Sequence, residues 1–403
     1  MDVFKIVLLG DKDHGKSTFI GSTLLLTKSV SNARISEAKK ISEELGRPFE
    51  PGFLMDSFSE ERQDAMTIDT TRAQLEYKNR GFEFIDVPGH EELISNMLTG
   101  ASNASTAVLI VSAKNGEGIS EQTKRHLLLS KMLGISSVLV CVNKMDSVGY
   151  SQKRFNEIKK ELSGFIKNAE KSIGSIKASF VPISAYTGEN IITKSKKMKW
   201  YNGHPLFSLL YSSIGKDLRS RSNPNKSLVV VQGLLDGGNV ACKVISGKIR
   251  KGQAMHVAST SKEVFVHAIF KAGKKSQHAE ANTSPVIDFG NIEGMERGSI
   301  IYSGKPPIIS KNINALIFTV EKPSNALVRI GVKEVECSIR SFGMIDIATG
   351  KIKQEKKIEP LNIYKVEIEA KSKMVFEKFE DTAELGRFTI RSGGKFSGVG
   401  IIV

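Results

Sequence analysis

The sequence predicts an α/β domain with a mostly parallel sheet and helices on both faces, followed by two small antiparallel β-barrels. Three observations predict this fold. Apolar strands alternate with amphipathic stretches in the first half, a glycine-rich loop follows the first strand, and short β-type segments fill the second half. The 403 residues are enough for about two to four domains with ample cores.

The first half alternates between two kinds of segment. The strand candidates are Phe4–Leu9, Phe82–Asp86, Ala107–Val111, Val138–Asn143 and Phe180–Ile183. The helix candidates are Glu91–Gly100, Glu121–Leu133, Gln152–Ile166 and a closing Leu206–Leu218. Because ligands of such sheets bind beyond the carboxyl ends of the strands, the loops after these strands are where a site is expected.

Two breaks in composition suggest the domain boundaries. The polar stretch Arg219–Asn225 predicts a linker, and Pro306-Pro307 predicts a second boundary. The β-type segments after them are Leu228–Leu234, Ala241–Val244, Val264–Phe270, Ser299–Tyr302, Ala315–Val320, Glu334–Arg340, Tyr364–Ala370, Arg387–Ile390 and Gly398–Val403. The predicted domains are therefore residues 1–218, 226–305 and 308–403.

Composition limits the class of protein. Hydrophobic residues make up 40% and charged residues 25%, which is typical of a globular protein, and no apolar run is long enough to span a membrane. Cys141, Cys242 and Cys337 lie too far apart for a metal or disulfide pattern, so a reduced, cytoplasmic setting is expected. The net charge of +15 fits either attraction to a polyanion such as RNA or simply a lysine-rich proteome.

Residues Gly10 to Ser17 have the spacing of a phosphate-binding loop: a glycine, four residues, then Gly-Lys-Ser, directly after a predicted strand. Backbone N–H groups of such a loop wrap around a polyphosphate, and the following helix adds the positive end of its dipole. Lys16 is expected to reach the terminal phosphates, and the Ser17 hydroxyl is expected to ligate Mg²⁺. The motif therefore predicts a nucleoside triphosphate site.

Two further segments fit the metal and the γ-phosphate. Asp86 ends a predicted strand, where a carboxylate can hold Mg²⁺ through water, and the N–H of Gly89 can sense a γ-phosphate. Thr67 lies between the two motifs, where a threonine can bind both Mg²⁺ and γ-phosphate and release them after hydrolysis. Residues 67–70 also fit a β-strand, so both interpretations of Thr67 stand.

A base-recognition motif follows another buried strand. Asn143-Lys144-Met145-Asp146 ends the strand, and a carboxylate there can accept both N1–H and N2–H₂ of guanine. Adenine lacks that pair of donors, so Asp146 selects GTP over ATP, while the stem of Lys144 can cover the base. A backbone N–H of Ser184-Ala185, after the next strand, could meet guanine O6.

This ordered set resembles the GTPase domain of the translation-factor superfamily, and in particular elongation factor 1-alpha and the GTPase subunit of ATP sulfurylase. The resemblance covers essentially the whole chain. It extends to Gly89–Ser102, which is similar to the segment called switch II, to Met198–Gly203 near the end of the GTPase domain, and to Glu384–Arg391 in the last barrel.

The resemblance implies a P-loop GTPase that hydrolyses GTP to GDP, with turnover that is slow without an activating partner. It also implies a role for each matching residue. Phosphates would be held by Asp13, His14, Gly15, Lys16, Ser17 and Thr18, with Gly89 reading the γ-phosphate; Mg²⁺ by Ser17, Thr67 and Asp86; and guanine by Asn143, Lys144, Asp146, Ser184 and Ala185. His90 would orient the attacking water, although a solvated residue without that role is the alternative.

The chain departs from the family pattern at several positions. Relatives usually carry an aliphatic residue where Lys12 stands, a glycine at Ala65, and a basic or amide residue at Asp64. These differences concern the triggering of hydrolysis rather than nucleotide binding. The glycine-rich insertion that tRNA carriers have between Leu228 and Val240 is also reduced, which bears on aminoacyl-tRNA binding.

Three functional hypotheses remain open at this stage. The first is a GTP-driven switch in translation that brings tRNA or another cargo to the ribosome. The second is a GTPase subunit that works with an adenylyltransferase subunit in sulfate activation, suggested by Leu54–Ser57, Asn362–Phe376 and the ending Gly398–Ile402. The third is a binding switch with poor intrinsic turnover, suggested by Lys12.

Overall fold

The computed structural model describes residues 3–44, 46, 48–55, 71–86, 104, 106–132, 134–135, 137–220, 226–290 and 292–403. The chain divides into two compact units. One consists of Met1–Gly215 with Ile345–Ile352, and the other of Lys216–Met344 with Lys353–Val403. The domain boundaries expected from the sequence, at residues 1–218, 226–305 and 308–403, stay predictions.

A six-stranded sheet forms the centre of the first unit. Its strands are β1 (Val3–Gly10), β2 (Thr71–Tyr77), β3 (Arg80–Asp86), β4 (Thr106–Ser112), β5 (Ser137–Asn143) and β6 (Lys177–Pro182). The order across the sheet is β2-β3-β1-β4-β5-β6. Only β2 runs antiparallel to its neighbour, which confirms the mostly parallel sheet predicted from the alternating pattern.

Helices cover both faces of this sheet. They are α1 (Lys16–Leu26), α2 (Asn32–Glu44), α3 (Glu121–Met132), α4 (Gln152–Ile173) and α5 (Leu206–Ser220). Ile6 and Leu8 of β1 share one core with Phe19 of α1 and Phe207 of α5. Because side chains alternate along a strand, the buried Val7 and the residues in step with it face the other side, where α3 packs against β1 and β4.

The pattern of α4 shows why the sequence forms a long helix here. Ser151 caps its start by accepting a hydrogen bond from the backbone N–H of Arg154, and the helix ends at Gly174, whose φ is 79°. Its buried residues recur every three or four positions and so form one apolar stripe. They are Phe155, Ile158, Leu162, Phe165, Ile166, Ala169 and Ile173.

The second unit begins with an antiparallel sheet. The strands are β7 (Lys226–Leu234), β8 (Asn239–Ser246), β9 (Lys248–Arg250), β10 (Ala254–Val257), β11 (Glu263–Phe265), β12 (Ala268–Lys271), β13 (Lys274–Ser276), β14 (His278–Glu280), β15 (Val286–Asp288) and β16 (Ile300–Gly304). Eight of them pair in the order β11-β10-β16-β7-β8-β15-β12-β13, while β14 pairs with β9. Val229, Val257 and Ile287 lie in one shared core, as a small barrel requires.

The last strands form a closed barrel. They are β17 (Ile308–Thr319), β18 (Ala326–Ile330), β19 (Lys333–Ile345), β20 (Ile352–Lys353), β21 (Ile363–Phe376), β22 (Arg387–Ser392) and β23 (Lys395–Ile402). Six of them close in the order β18-β22-β23-β17-β21-β19, because β18 also pairs with β19. The all-β second half is therefore confirmed.

The structure differs from the sequence-based expectation in a few elements. The single strand expected over Val264–Phe270 is two strands, because β11 pairs with β10 whereas β12 pairs with β15. α5 runs to Ser220, so the expected linker starts later than Arg219. α2 and β2 were not predicted. The expected helix Glu91–Gly100 and the strand interpretation of Thr67 lie outside the described residues.

Within the described part of the chain, none of the helices combines the length and the apolar character that a membrane span needs.

Candidate nucleotide-binding site

Two glycines shape the loop between β1 and α1. Gly10 has φ 149°, and a Cβ there would lie 2.6 Å from the carbonyl oxygen of Ile110. Gly15 has φ 89° and stands directly before α1, where a Cβ would lie 2.6 Å from Nδ2 of Asn143. Neither position has room for a side chain. The glycines of the motif are therefore required by close packing against β4 and β5 as well as by the turn itself.

Lys16 folds back over the loop. Its Nζ donates hydrogen bonds of 2.8 Å to the carbonyl oxygens of both Gly10 and Asp11. Burial lowers the pKa of Lys16, while the charges of Asp86 and Asp11 act in the opposite direction. The ammonium group is thus held at the mouth of the loop, close to carboxylates and in reach of a phosphate.

His14 supports the loop from inside. The side chain is buried, and Nδ1 lies 3.3 Å from the carbonyl oxygen of Ile110, which makes it the donor of that bond. Burial lowers the pKa of His14, because the protonated ring would be a cation kept away from water. The imidazole is therefore a neutral packing group, and only the backbone of His14 is available for a phosphate.

Asp11 ties the loop to the start of α3. Its carboxylate accepts a hydrogen bond from the Ser120 hydroxyl and another, of 3.3 Å, from the Thr123 hydroxyl. Ser120 also accepts a 3.0 Å bond from the backbone N–H of Thr123, as a helix cap does. The sequence alone does not indicate this role of Asp11, because its partners are more than a hundred residues away.

Asn143 joins the phosphate loop to the loop after β6. Its Nδ2 donates a 2.9 Å bond to the carbonyl oxygen of His14, and its Oδ1 accepts a 2.8 Å bond from the backbone N–H of Ala185. The side chain is only 2% exposed. Asn143 therefore fixes the distance between the predicted phosphate and base subsites, and it contacts both loops rather than facing solvent.

Asp146 and Lys144 are both held by partners. The Ser184 hydroxyl donates a 2.5 Å hydrogen bond to Oδ1 of Asp146, which orients the carboxylate. Lys144 has φ 59° at the end of β5, and its Nζ donates a 2.8 Å bond to Oε2 of Glu117. Burial alone would raise the pKa of Glu117, but the hydrogen bonds from Lys144 and Ser112 outweigh it and lower the pKa to about 2. Glu117 is thus an anchor for Lys144 that the sequence analysis did not identify.

A cavity of about 630 Å³ brings most of the predicted residues together. Its predicted members are Asp13, Gly15, Lys16, Ser17, Thr18, Asn143, Lys144, Asp146 and Ala185, and Lys12, which departs from the family pattern, lines it as well. His14 and Ser184 stand behind the wall rather than in it. Five lining residues had no predicted role: Glu50, Gly52, Phe53, Ser147 and Tyr186. The cavity therefore runs from the phosphate loop to the base motif, as a nucleotide requires.

Two of the three predicted metal ligands lie near the phosphate loop. Asp86 ends β3 opposite Leu8 of β1, and its charge acts on Lys16, the neighbour of Ser17. A carboxylate and a hydroxyl beside a phosphate site suit Mg²⁺, which takes few protein oxygens and completes its shell with phosphates and waters. No group of three or more His, Cys, Asp or Glu side chains among the described residues is placed to hold a metal by itself. The third predicted ligand, Thr67, lies outside the described residues, as do Gly89, His90, Asp64 and Ala65.

The chain is similar to known proteins over nearly its whole length. The family model "Elongation factor Tu GTP binding domain" matches residues 1–230, and "GTP-eEF1A C-terminal domain-like" matches residues 317–403. Elongation factor 1-alpha of Sulfurisphaera tokodaii is 34% identical, with 99% of this chain and 96% of that protein covered. The Metallosphaera sedula protein of the same name is 32% identical, with 98% and 96% covered.

A solved structure shows a similar fold. The S. cerevisiae Ski7 GTPase-like domain bound to GTP superposes with a TM-score of 0.51 at 16% identity, covering 100% of this chain and 97% of that chain. The hypothesis of an ATP sulfurylase subunit gains no support from the relatives named here, which carry the elongation-factor name. Since one family model covers more than half of the chain and both relatives span nearly all of it, the chain belongs to the elongation factor Tu and 1-alpha family of translation GTPases.

Proposed function

We propose that this GTPase is a cytoplasmic switch that carries an aminoacyl-tRNA to the ribosome in its GTP state and releases it after hydrolysis. The observation that carries the proposal is the match of residues 317–403 to the C-terminal domain of elongation factor 1-alpha. The likeness therefore extends beyond the GTPase domain into the barrels, where a cargo would be bound. The net charge of +15 suits a polyanionic cargo.

The nucleotide itself is assigned to the cavity between the phosphate loop and β5. Lys16 and the backbone of Asp13 to Thr18 hold the phosphates. Asp146 accepts the N1–H and N2–H₂ of guanine, beside the stem of Lys144. Support comes from the cavity that these residues line together and from the hydrogen bonds that orient Asp146 and Lys144.

The metal ligands and the hydrolytic residues complete the proposal. Ser17 and Asp86 hold Mg²⁺ with Thr67, and the bound ion would neutralise charge on the phosphates. Gly89 reads the γ-phosphate and His90 orients the attacking water. The position of Asp86 beside Lys16 supports the metal assignment, while the roles of Thr67, Gly89 and His90 rest on their place in the family motifs.

Filter binding tests the delivery function. Labelled aminoacyl-tRNA is incubated with the protein and a non-hydrolysable GTP analogue, GDP or no nucleotide, at modest salt and with deacylated tRNA as competitor. Retention that requires the GTP analogue and resists the competitor supports the proposal. Equal retention in all three states would refute a GTP-driven carrier. The Asp146→Ala variant is the control, because it should lose the GTP-dependent part.

The environment of Lys12 favours a second version of this proposal, in which the protein hydrolyses GTP slowly without a partner. Its side chain is exposed, lines the nucleotide cavity, and forms no hydrogen bond or ion pair with any described residue. A free ammonium group there can bind a phosphate that it does not help to cleave. Single-turnover hydrolysis by the wild type and by Lys12→Val tests this, and fast hydrolysis that the substitution leaves unchanged would contradict it.

A further inference from the structure

A wall of the nucleotide cavity comes from a segment that neither nucleotide motif includes. Glu50, Gly52 and Phe53 line the same cavity as Lys16 and Asp146. They lie after α2, in a part of the chain that carries no recognisable sequence motif.

The segment is packed firmly against α1. A Cβ on Gly21 of α1 would lie 1.8 Å from the carbonyl oxygen of Pro51, so the two backbones are in direct contact. Leu54 is fully buried and Met55 belongs to the core beneath the sheet. The backbone N–H of Phe53 bonds to the carbonyl oxygen of Glu50 at 3.1 Å, which closes a turn. These contacts hold the wall in place against α1.

Its neighbours show which part of the nucleotide it faces. A Cβ on Gly52 would lie 3.5 Å from Oγ1 of Thr18, in the first turn of α1. The phosphates lie at the start of that helix, by Lys16, and guanine lies at the other end of the cavity, by Asp146. The ribose joins these two ends, and a segment that contacts Thr18 and shares the cavity with Asp146 lies within reach of the sugar.

The chemistry of Glu50 suits a sugar better than a phosphate. Glu50 is exposed and lines the cavity, and its side chain makes no hydrogen bond or ion pair with any described residue. An anion repels phosphates but accepts hydrogen bonds from hydroxyl groups, and acidic side chains bind ribose hydroxyls in this way in dinucleotide-binding folds. The half-buried ring of Phe53 offers an apolar surface to the C–H face of the sugar.

We propose that Glu50–Phe53 forms a ribose subsite in which the carboxylate of Glu50 accepts hydrogen bonds from the 2′- and 3′-hydroxyls of the guanine nucleotide. This subsite rests on the proposed nucleotide site and makes it selective for ribonucleotides over deoxyribonucleotides.

Calorimetric titration with GDP and 2′-deoxy-GDP tests the subsite in the full-length protein. Wild type is expected to bind GDP about tenfold or more tightly than 2′-deoxy-GDP, since a hydrogen bond to a charged group is lost. Glu50→Ala should lose that preference, because GDP then loses its bonds from both hydroxyls while 2′-deoxy-GDP loses only the bond from the 3′-hydroxyl. Glu44→Ala, an exposed carboxylate outside the cavity, is the matched control and should keep it.

The outcomes separate the two levels of the account. Equal affinity of the wild type for GDP and 2′-deoxy-GDP, or the same preference in Glu50→Ala as in wild type, overturns the ribose subsite while the nucleotide site stands. No binding of GDP by the wild type refutes the proposed function, and the subsite with it. Glu50→Gln is a further variant that keeps the size of the side chain, and it should retain an intermediate preference.

Discussion

Replacing Asn143 by alanine should weaken guanine nucleotide binding without Asn143 having to contact the base. The amide connects the phosphate loop to the loop after β6 through hydrogen bonds of 2.9 Å to His14 and 2.8 Å to Ala185. Without the amide neither hydrogen bond can form, so Asn143 no longer holds the two loops at the spacing of one nucleotide. The substitution therefore tests whether the subsites act as one site.

The magnitude follows from the two partners that are left behind. The carbonyl group of His14 and the N–H of Ala185 belong to buried residues, 5% and 1% exposed. Leaving a buried polar group unpaired costs about 1–3 kcal/mol, so the total is about 2–6 kcal/mol. Water entering the gap would place the cost at the low end. Even a cost of about 2 kcal/mol corresponds to about a 30-fold loss of affinity if the cost destabilises the nucleotide-bound conformation.

Titration with a fluorescent GDP analogue, together with thermal unfolding, measures both effects. Asn156→Ala on the exposed face of α4 is the control and should change neither quantity. Asn143→Asp should bind GDP as weakly as Asn143→Ala, because an oxygen then faces the carbonyl oxygen of His14 in place of a donor. Affinities of both variants within twofold of wild type would refute the reasoning.

Three further predictions concern base selection, stability and pH. Asp146→Asn should lower the affinity for GDP and raise that for XDP in competition binding, because an amide can donate to the O2 atom of xanthine; an unchanged GDP/XDP ratio would count against the guanine assignment. Glu377→Gln should lower the free energy of unfolding by about 3–5 kcal/mol in denaturant titration, because it leaves the buried cation of Lys226 without its anion. The side chains of Lys226 and Glu377 are only 7% and 4% exposed. Removing the exposed carboxylate of Glu336 should cost under about 1 kcal/mol, and equal losses would contradict this. Because burial lowers the pKa of His14 below its unfolded value of 6.5, the stabilisation from the neutral ring is complete above pH 6.5 and falls as the pH drops below it. His14→Asn should flatten that part of the stability curve, and an unchanged slope between pH 5 and 7 would contradict it.

The motifs that could be predicted are those whose residues are consecutive in the chain. The phosphate loop and the base motif each follow a strand, and their glycine, lysine and aspartate residues have local geometric reasons to stand where they do. The alternation of strands and helices likewise predicted the mostly parallel sheet, since βαβ units are built from neighbouring segments. The short apolar segments after residue 226 predicted an all-β second half.

The connections within the site could not be predicted in the same way. Glu117 anchors Lys144 across 27 residues, and Asp11 reaches Ser120 across 109, so no spacing rule finds them. The wall at Glu50 depends on backbone contact with α1, which leaves no periodic signal. α2 was missed for a related reason, because only Ala38 and Ser42 of its 13 residues are buried and they form no apolar stripe.

The phosphate loop and Asp146 are proposed to form one site that recognises guanine. The most direct test is calorimetric titration of the wild type with GDP and ADP in the presence of Mg²⁺. We expect one site per chain and an affinity for GDP about 100-fold or more above that for ADP, because adenine lacks the donor pair that Asp146 accepts. Equal affinities for the two nucleotides, or binding of neither, would contradict it.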